Sequence, residues 1–314
     1  MNSSRLETDD DFMRLALGLA EQGRGSVEPN PMVGCVIVRE NQVIGEGYHQ
    51  RFGGPHAEVH ALRSAGDARG ATAYVTLEPC CHHGKTPPCS EALISAGVRR
   101  VVVAMADPFE QVDGGGIRQL QNAGIETRLG VLENEARELN VAYLKRLRTG
   151  RPYTIAKWAM TVDGRIATSS GQSQWISSEA SRADVHQLRG RVDAIAAGMG
   201  TVIADDPMLT ARPSGVRTAT RVVFCANRLP STSSRLIQSA KEVPVLLIVT
   251  PNIETTDVAE LEQLGASVYR CASDTSVEMV HQALDFMGSK SMTNIMIEGG
   301  GELMASFLEA NAID

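Results

Sequence analysis

Several things are missing from this 314-residue chain, and each absence removes a class of function. No apolar run is long enough to span a bilayer. Residues 1–11 are polar and acidic, with neither a basic start nor an apolar signal core, so a cytoplasmic protein without a membrane partner is expected. The cysteines at 35, 80, 81, 89, 225 and 271 form no regular framework; in a reducing compartment they read as metal ligands or core residues. Excess positive charge is absent too, the formal net charge being −7. A nucleic-acid binder needs a positive footprint to neutralise phosphates, so no such partner is expected. A small phosphorylated substrate held by a few local cations stays open. There are no repeats and no low-complexity tract.

What is present centres on the stretch from His56 to Cys89. It reads H-A-E at 56–58 and L-E-P-C-C-H-H-G-K-T-P-P-C at 77–89. One imidazole and two thiols supply three ligands, and three protein ligands plus water describe a catalytic zinc site. The half-motifs follow the H-x-E…P-C-x-x-C arrangement of zinc nucleobase deaminases, with a wider gap between the cysteines. His56 and His60 are four apart, as in a metalloprotease helix, but Ala57 stands where that motif needs glutamate. Gly53-Gly54-Pro55 lets a helix begin near His56, where both His56 and Glu58 can face one point. Thr86 as N-cap, with Pro87 at the first helical position, puts Cys89 in a first turn that favours a thiolate. Cys80 follows a strand-like run, Ala73 to Leu77.

The pattern along the chain predicts two α/β domains. Helices are expected at 11–22, 56–64, 89–96 and 117–123, with one charged amphipathic helix over 133–148. Strands are expected at 33–38 and 42–48, joined as a hairpin, and at 73–77, 100–104 and 125–129. Alternation of this kind indicates a three-layer α/β domain. Thr149-Gly150-Arg151-Pro152 is a turn-rich joint, dividing the chain into 1–149 and 150–314. The second part is expected to hold strands at 153–160, 194–197, 221–225, 245–249, 267–270 and 294–297. Its helices are expected at 178–189, 256–264, 276–287 and 302–308. Strand, then Gly299-Gly300-Gly301, then helix is a phosphate-cradling arrangement. Lys157, Arg189 and Arg212 could each bind phosphate, so the spacing points to a nucleotide or phosphate site.

Taken together, these motifs resemble the bifunctional deaminase/reductase family of riboflavin biosynthesis, nearly end to end. The first domain carries P-N-P-M-V-G at 29–34, H-A-E at 56–58 and the cysteine stretch. The second carries K-W-A-M-T-V-D-G-R at 157–165, S-Q-W-I at 173–176, A-D-D-P-M-L-T at 204–210 and E-G-G-G at 298–301. The resemblance implies a cytidine-deaminase-like α/β/α domain followed by a dihydrofolate-reductase-like α/β domain. It implies zinc-dependent removal of the 2-amino group of 2,5-diamino-6-(5-phosphoribosylamino)pyrimidin-4-one. NADPH-dependent reduction of the ribosyl group to ribityl would follow. It assigns His56, Cys80 and Cys89 to zinc and Glu58 to proton transfer. Asn30 would read the pyrimidine, and His49, His82 and Lys85 would meet the phosphate. Ala159, Trp175, Thr201, Asp205 and Gly299, Gly300 and Gly301 would contact the cofactor. Ser173, Arg189, Leu209, Arg212 and Glu298 would contact substrate, with Lys157 near the reacting sugar. A homo-oligomer is the expected assembly, and the family's pattern runs on past residue 314 with more strand.

Two departures stand out. Cys81 occupies a position where the family commonly has serine, giving a further thiol expected near the metal. Cys225-Ala226 replaces a polar pair beside the cofactor. Two rival readings are a deaminase of nucleosides or tRNA, against which the acidic balance argues, and a binding protein with a structural zinc.

Overall fold

The computed structural model describes residues 7–82, 87–109, 112, 114–173 and 175–314. The chain divides into two compact units, Met1–Arg148 and Thr149–Asp314. The first runs α1 (Asp9–Glu21), β1 (Gly34–Arg39), β2 (Gln42–Tyr48), α2 (Ala57–Ala65), β3 (Thr72–Leu77) and α3 (Cys89–Ser95). It continues through β4 (Arg100–Met105), α4 (Gly115–Asn122), β5 (Glu126–Leu129), α5 (Glu133–Leu139) and α6 (Val141–Thr149).

Its sheet has the order β2-β1-β3-β4-β5. The hairpin β1–β2 is antiparallel, β1 pairs antiparallel with β3, and β3, β4 and β5 are parallel. Glu40 and Asn41 both take positive φ in the turn, as a two-residue hairpin compatible with strand twist requires. The period of two splits each strand between two cores. Cys35, Ile37, Val101 and Val103 pack with Ala57, Leu93 and Leu120 on one face; Val36, Val102 and Ala104 pack with Phe12, Met13 and Ala136 on the other. Both faces are covered, which makes this the expected three-layer α/β/α unit.

Helix α2 lies hard against β2. A Cβ at Gly45 or Gly47 would collide with the backbone of Ala61 and Ala57, so only glycine admits the helix at this depth. That contact fixes the helix whose first turn bears His56 and Glu58.

The second unit runs β6 (Tyr153–Lys157), α7 (Glu179–Arg189), β7 (Ala194–Gly198), α8 (Met199–Asp205), β8 (Thr220–Cys225) and α9 (Arg235–Gln238). Then come β9 (Val245–Val249), α10 (Thr255–Gln263), β10 (Ser267–Arg270), α11 (Ser276–Ser289), β11 (Asn294–Glu298) and α12 (Gly301–Glu309). Its sheet order is β10-β9-β8-β7-β11-β6, and every pairing among the described residues is parallel. Chain direction across the sheet reverses between β7 and β11. In open α/β sheets ligands bind at such a reversal, outside the carboxyl ends of the strands.

Four expectations need correction. The helix expected over 133–148 is two helices. Asn140 interrupts it because its side chain is spent on the backbone of Met32, accepting from N (2.8 Å) and donating to O (3.0 Å). Helix α3 starts at Cys89 with Pro88 as cap residue, so Pro87 stands outside the helix, and Thr86 lies outside the described residues. Strand β6 stops at Lys157 and not at Met160. Helices α8 and α9 were not anticipated: glycines at 198 and 200 weaken the helical signal of α8, and α9 is a single turn.

Candidate active sites

The metal-ligand types converge where the sequence motifs predict. Nδ1 of His56 lies 3.2 Å from the Cys89 sulfur and 3.5 Å from that of Cys80. All three ligand atoms lie within 4.8 Å of one another. A tetrahedral zinc with bonds of ~2.3 Å to sulfur and ~2.05 Å to nitrogen needs N···S edges of about 3.6 Å, so the donors are already spaced for it. The Cys80 thiol is driven down to about 4 by hydrogen bonds from Cys89 and His56, against the cost of burial. Cys89, as the donor to Cys80, is pushed up. The thiol pair therefore shares one proton, which a metal ion would displace.

Local structure delivers each ligand. His56 is the cap residue of α2 in extended conformation, and Glu58 sits in the first turn behind it. Glu58 is 3% exposed, and its Oε2 has no hydrogen-bond partner among the described residues. Burial raises its pKa, and the adjacent His56 opposes that rise. A buried carboxyl oxygen left unpartnered beside three ligands fits a site that also holds water. Cys80 is anchored through its carbonyl, which accepts from Ser90 N (3.1 Å) and Oγ (2.9 Å) at the start of α3. Buried Glu78 holds the neighbouring loop by accepting from the amides of Gly114 and Ile117, both at 3.1 Å.

Cys81 is not a member of the ligand group. Its sulfur turns toward the Val112 carbonyl (4.0 Å) and the backbone at Gly115.

A cavity of about 410 Å³ opens over this centre and is lined by Asn30, His49, His56, Glu58, Cys80 and His82, among others. His49 is buried; Nδ1 lies 3.0 Å from the Pro55 carbonyl and Nε2 lies 3.2 Å from Asn30 Nδ2. Nδ1 donates to that carbonyl, and Nε2, facing the Asn30 amide nitrogen, accepts. Burial lowers its pKa accordingly. His49 thus holds the amide of Asn30, which lines the cavity. Lys85 lies outside the described residues. Three lining residues escaped the motif reading: Asp107, Tyr143 and Arg146. Asp107 Oδ1 accepts from Tyr143 Oη and Phe109 N, each at 3.0 Å, and burial raises its pKa. The signal was available, since Asp107-Pro108 stands just past the carboxyl end of β4, separated from Met105 by Ala106 alone.

The second unit has a larger cleft, about 890 Å³, at the carboxyl ends of its strands. It gathers Lys157, Ala159, Ser173, Thr201, Asp205 and the Gly299–Gly301 loop. Gly299 takes φ +139°, and a Cβ there would press Thr201 Oγ1 at 2.7 Å. Thr201 Oγ1 accepts from Gly300 N (3.0 Å), and α12 opens with no side-chain cap. Its first-turn amides and this glycine cradle fit a pyrophosphate. Trp175, Arg189, Leu209, Arg212 and Glu298 are not among the lining residues. Trp175 is 69% exposed and stacks under Arg182. Leu209 is in the core, and Arg189 forms a two-point ion pair with Glu298 (2.6 and 2.5 Å). Arg212 N–H donates to His186 Nδ1 (3.2 Å), a histidine the motifs did not mark.

One unit thus has the ligand set of a zinc-dependent deaminase, and the other has the glycine-cradled cleft of a nucleotide-dependent reductase. Residues 6–105 match the cytidine and deoxycytidylate deaminase zinc-binding region, and residues 152–314 match the RibD C-terminal domain. The chain belongs to the RibD family. It is 45% identical to the riboflavin biosynthesis protein RibD of Escherichia coli strain K12, over 98% of this chain and 85% of that one. Against the RibD of Actinobacillus pleuropneumoniae identity is 41%, over 100% and 83%. Among solved structures, Acinetobacter baumannii RibD, form 1, has a TM-score of 0.84 at 40% identity, covering 98% of this chain and 84% of that one. The diaminohydroxyphosphoribosylaminopyrimidine deaminase/5-amino-6-(5-phosphoribosylamino)uracil reductase of Thermotoga maritima also gives 0.84, at 36% identity, with coverages of 96% and 83%.

Proposed function

We propose that the two sites act in turn on one phosphorylated pyrimidine, with the residue roles given below. As a family member the chain is a bifunctional enzyme of riboflavin biosynthesis, a zinc-dependent deaminase and an NADPH-dependent reductase. The first substrate is 2,5-diamino-6-(5-phosphoribosylamino)pyrimidin-4-one. His56, Cys80 and Cys89 hold the metal. Zinc, when bound, supplies the Lewis acidity that lets water ionise near neutral pH. Glu58 takes the water's proton and returns it to the ring nitrogen and the departing amine, a general acid–base role. Its raised pKa suits both halves of that task. Asn30, oriented by His49, reads the ring edge. His82 and Lys85 remain the assigned phosphate contacts, while His49, with both ring nitrogens engaged by Pro55 and Asn30, acts through Asn30 and not on the phosphate.

In the second unit a cofactor carries the hydride, so the residues orient and polarise. The Gly299–Gly301 loop and Thr201 seat the pyrophosphate, with Ala159, Trp175 and Asp205 as further cofactor contacts. Lys157 and Ser173 approach the sugar, while Arg189, Leu209, Arg212 and Glu298 hold the substrate's far end. The reading extends to a cytoplasmic homo-oligomer that binds no nucleic acid; among the described residues no helix is long and apolar enough to cross a membrane.

The observation that carries the deaminase assignment is the unpartnered Oε2 of buried Glu58 beside three convergent ligands. Glu58→Gln tests it. Zinc content should stay near that of the parent, while ammonia release falls by about 10²–10⁴-fold. Reduction of pre-deaminated substrate should be unchanged. Loss of zinc in this variant would make the carboxylate a ligand; full activity would move the proton shuttle elsewhere.

A further inference from the structure

The cleft of the second unit spans the carboxyl ends of four adjacent strands in the order β8-β7-β11-β6. Lys157 ends β6, Gly299 follows β11, Gly198 ends β7 and Ala226 follows β8. Three inter-strand steps of about 4.8 Å make this roughly 14 Å across, the scale of a dinucleotide laid over the sheet. The glycine cradle lies in the middle. Among the described lining residues the cleft has two cations, one at each end: Lys157 over β6 and Arg228 beyond β8. Neither side chain has a hydrogen-bond or ion-pair partner among the described residues.

That asymmetry orients the cofactor. The hydride-transferring end must meet the sugar, and Lys157 with Ser173 is assigned to that end. The adenosine end then lies across β7 and β8, and the phosphate that separates NADPH from NADH arrives at Arg228. We propose that Arg228 is the residue that selects the 2′-phosphorylated cofactor. An arginine fork matches a phosphate at two points, which a strongly hydrated ammonium does not. Ser276, the first residue of α11, lines the same end and offers a hydroxyl. Asp274 also lines it, but its Oδ2 already accepts from Asn252 Nδ2 (3.3 Å). The short, apolar side chain of Ala226 leaves the selection to Arg228 two residues further on.

This inference rests on the reading of the second unit as an NADPH-dependent reductase, and the test separates the two. Calorimetric titration of the full chain with adenosine 2′,5′-bisphosphate and with 5′-AMP measures selection without turnover. The parent protein should favour the bisphosphate by about 10–100-fold, the scale of one charge-assisted hydrogen-bond pair. Arg228→Gln should erase that preference and leave 5′-AMP binding as it was, while Arg228→Lys should retain part of it. Thermal unfolding followed by circular dichroism checks that each variant is folded. A parent that oxidises NADPH but shows no preference, or an Arg228→Gln protein that keeps it, overturns the assignment alone. A parent that binds neither ligand and oxidises no NADPH overturns the reductase reading as well.

Discussion

Glycine at two positions shows how a single residue decides whether the metal centre forms. A Cβ at Gly116 would collide with the backbone carbonyl of Pro79, one residue before Cys80. Neither group can rotate aside. Gly116→Ala should therefore displace the Cys80 segment and lower both zinc retention and melting temperature. Gly18 is the control: it lies within α1 and nothing comes within 4 Å of a Cβ there. Gly18→Ala should raise stability by about 0.5–1 kcal/mol, the usual helix-interior difference. Zinc content and chemical denaturation of the two variants check the contrast. The same scale explains why Cys81 could not be placed from sequence. Its neighbour in the motif is a ligand, and a list of residues does not say which of two adjacent thiols joins the metal group.

At the scale of elements, the start of α1 is pinned to three strands through Asp9. It pairs with Arg100 of β4 (2.9 Å) and Arg128 of β5 (2.6 Å), and it accepts from Tyr74 of β3 (2.8 Å). Hydrogen bonding from Arg100 holds its pKa below the ordinary 3.8. A depressed folded-state pKa contributes stability that is present above the unfolded value and lost as pH falls through the folded one. Asp9→Asn should thus lower the melting temperature at pH 6–7, and the gap to the parent should narrow as pH drops below 4. A gap that does not change with pH would assign the effect to packing. The core strands and the helices beside them were legible because burial on both faces leaves unbroken apolar runs such as Val101–Ala104. The hairpin and the metal motif were legible for a similar reason, being local in sequence. What failed was set by distant partners. Asn140 breaks a periodic helix because Met32 claims its amide, and nothing in the 133–148 pattern announces that. The mutual ion pair of Arg189 and Glu298 was hidden in the same way, since it is visible only once β11 lies beside β7.

For the whole molecule, each unit has its own sheet and its own cores, and the three zinc-ligand types come from the first alone. We therefore expect the activities to separate at the 149–152 joint. A fragment of residues 1–149 should release ammonia with no nicotinamide cofactor present. Chelation should lower the melting transition of that fragment and leave that of 150–314 where it was, because metal binding contributes to the stability only of the unit that it ligates. A folded, zinc-loaded fragment with no activity would show that the deaminase needs its neighbour. The second sheet has a different dependence on order. Strand β6 opens the unit, yet its one partner among the described strands is β11, the last of them in sequence. As the chain leaves the ribosome, β6 has no edge to join until β11, well over a hundred residues later, has been synthesised. The first unit has meanwhile every strand it needs. Contacts this far apart in sequence close slowly and leave strand edges exposed while they wait. The reductase half is therefore the part of the nascent chain with most need of a chaperone, and slowing translation should help the deaminase half fold without shortening that wait.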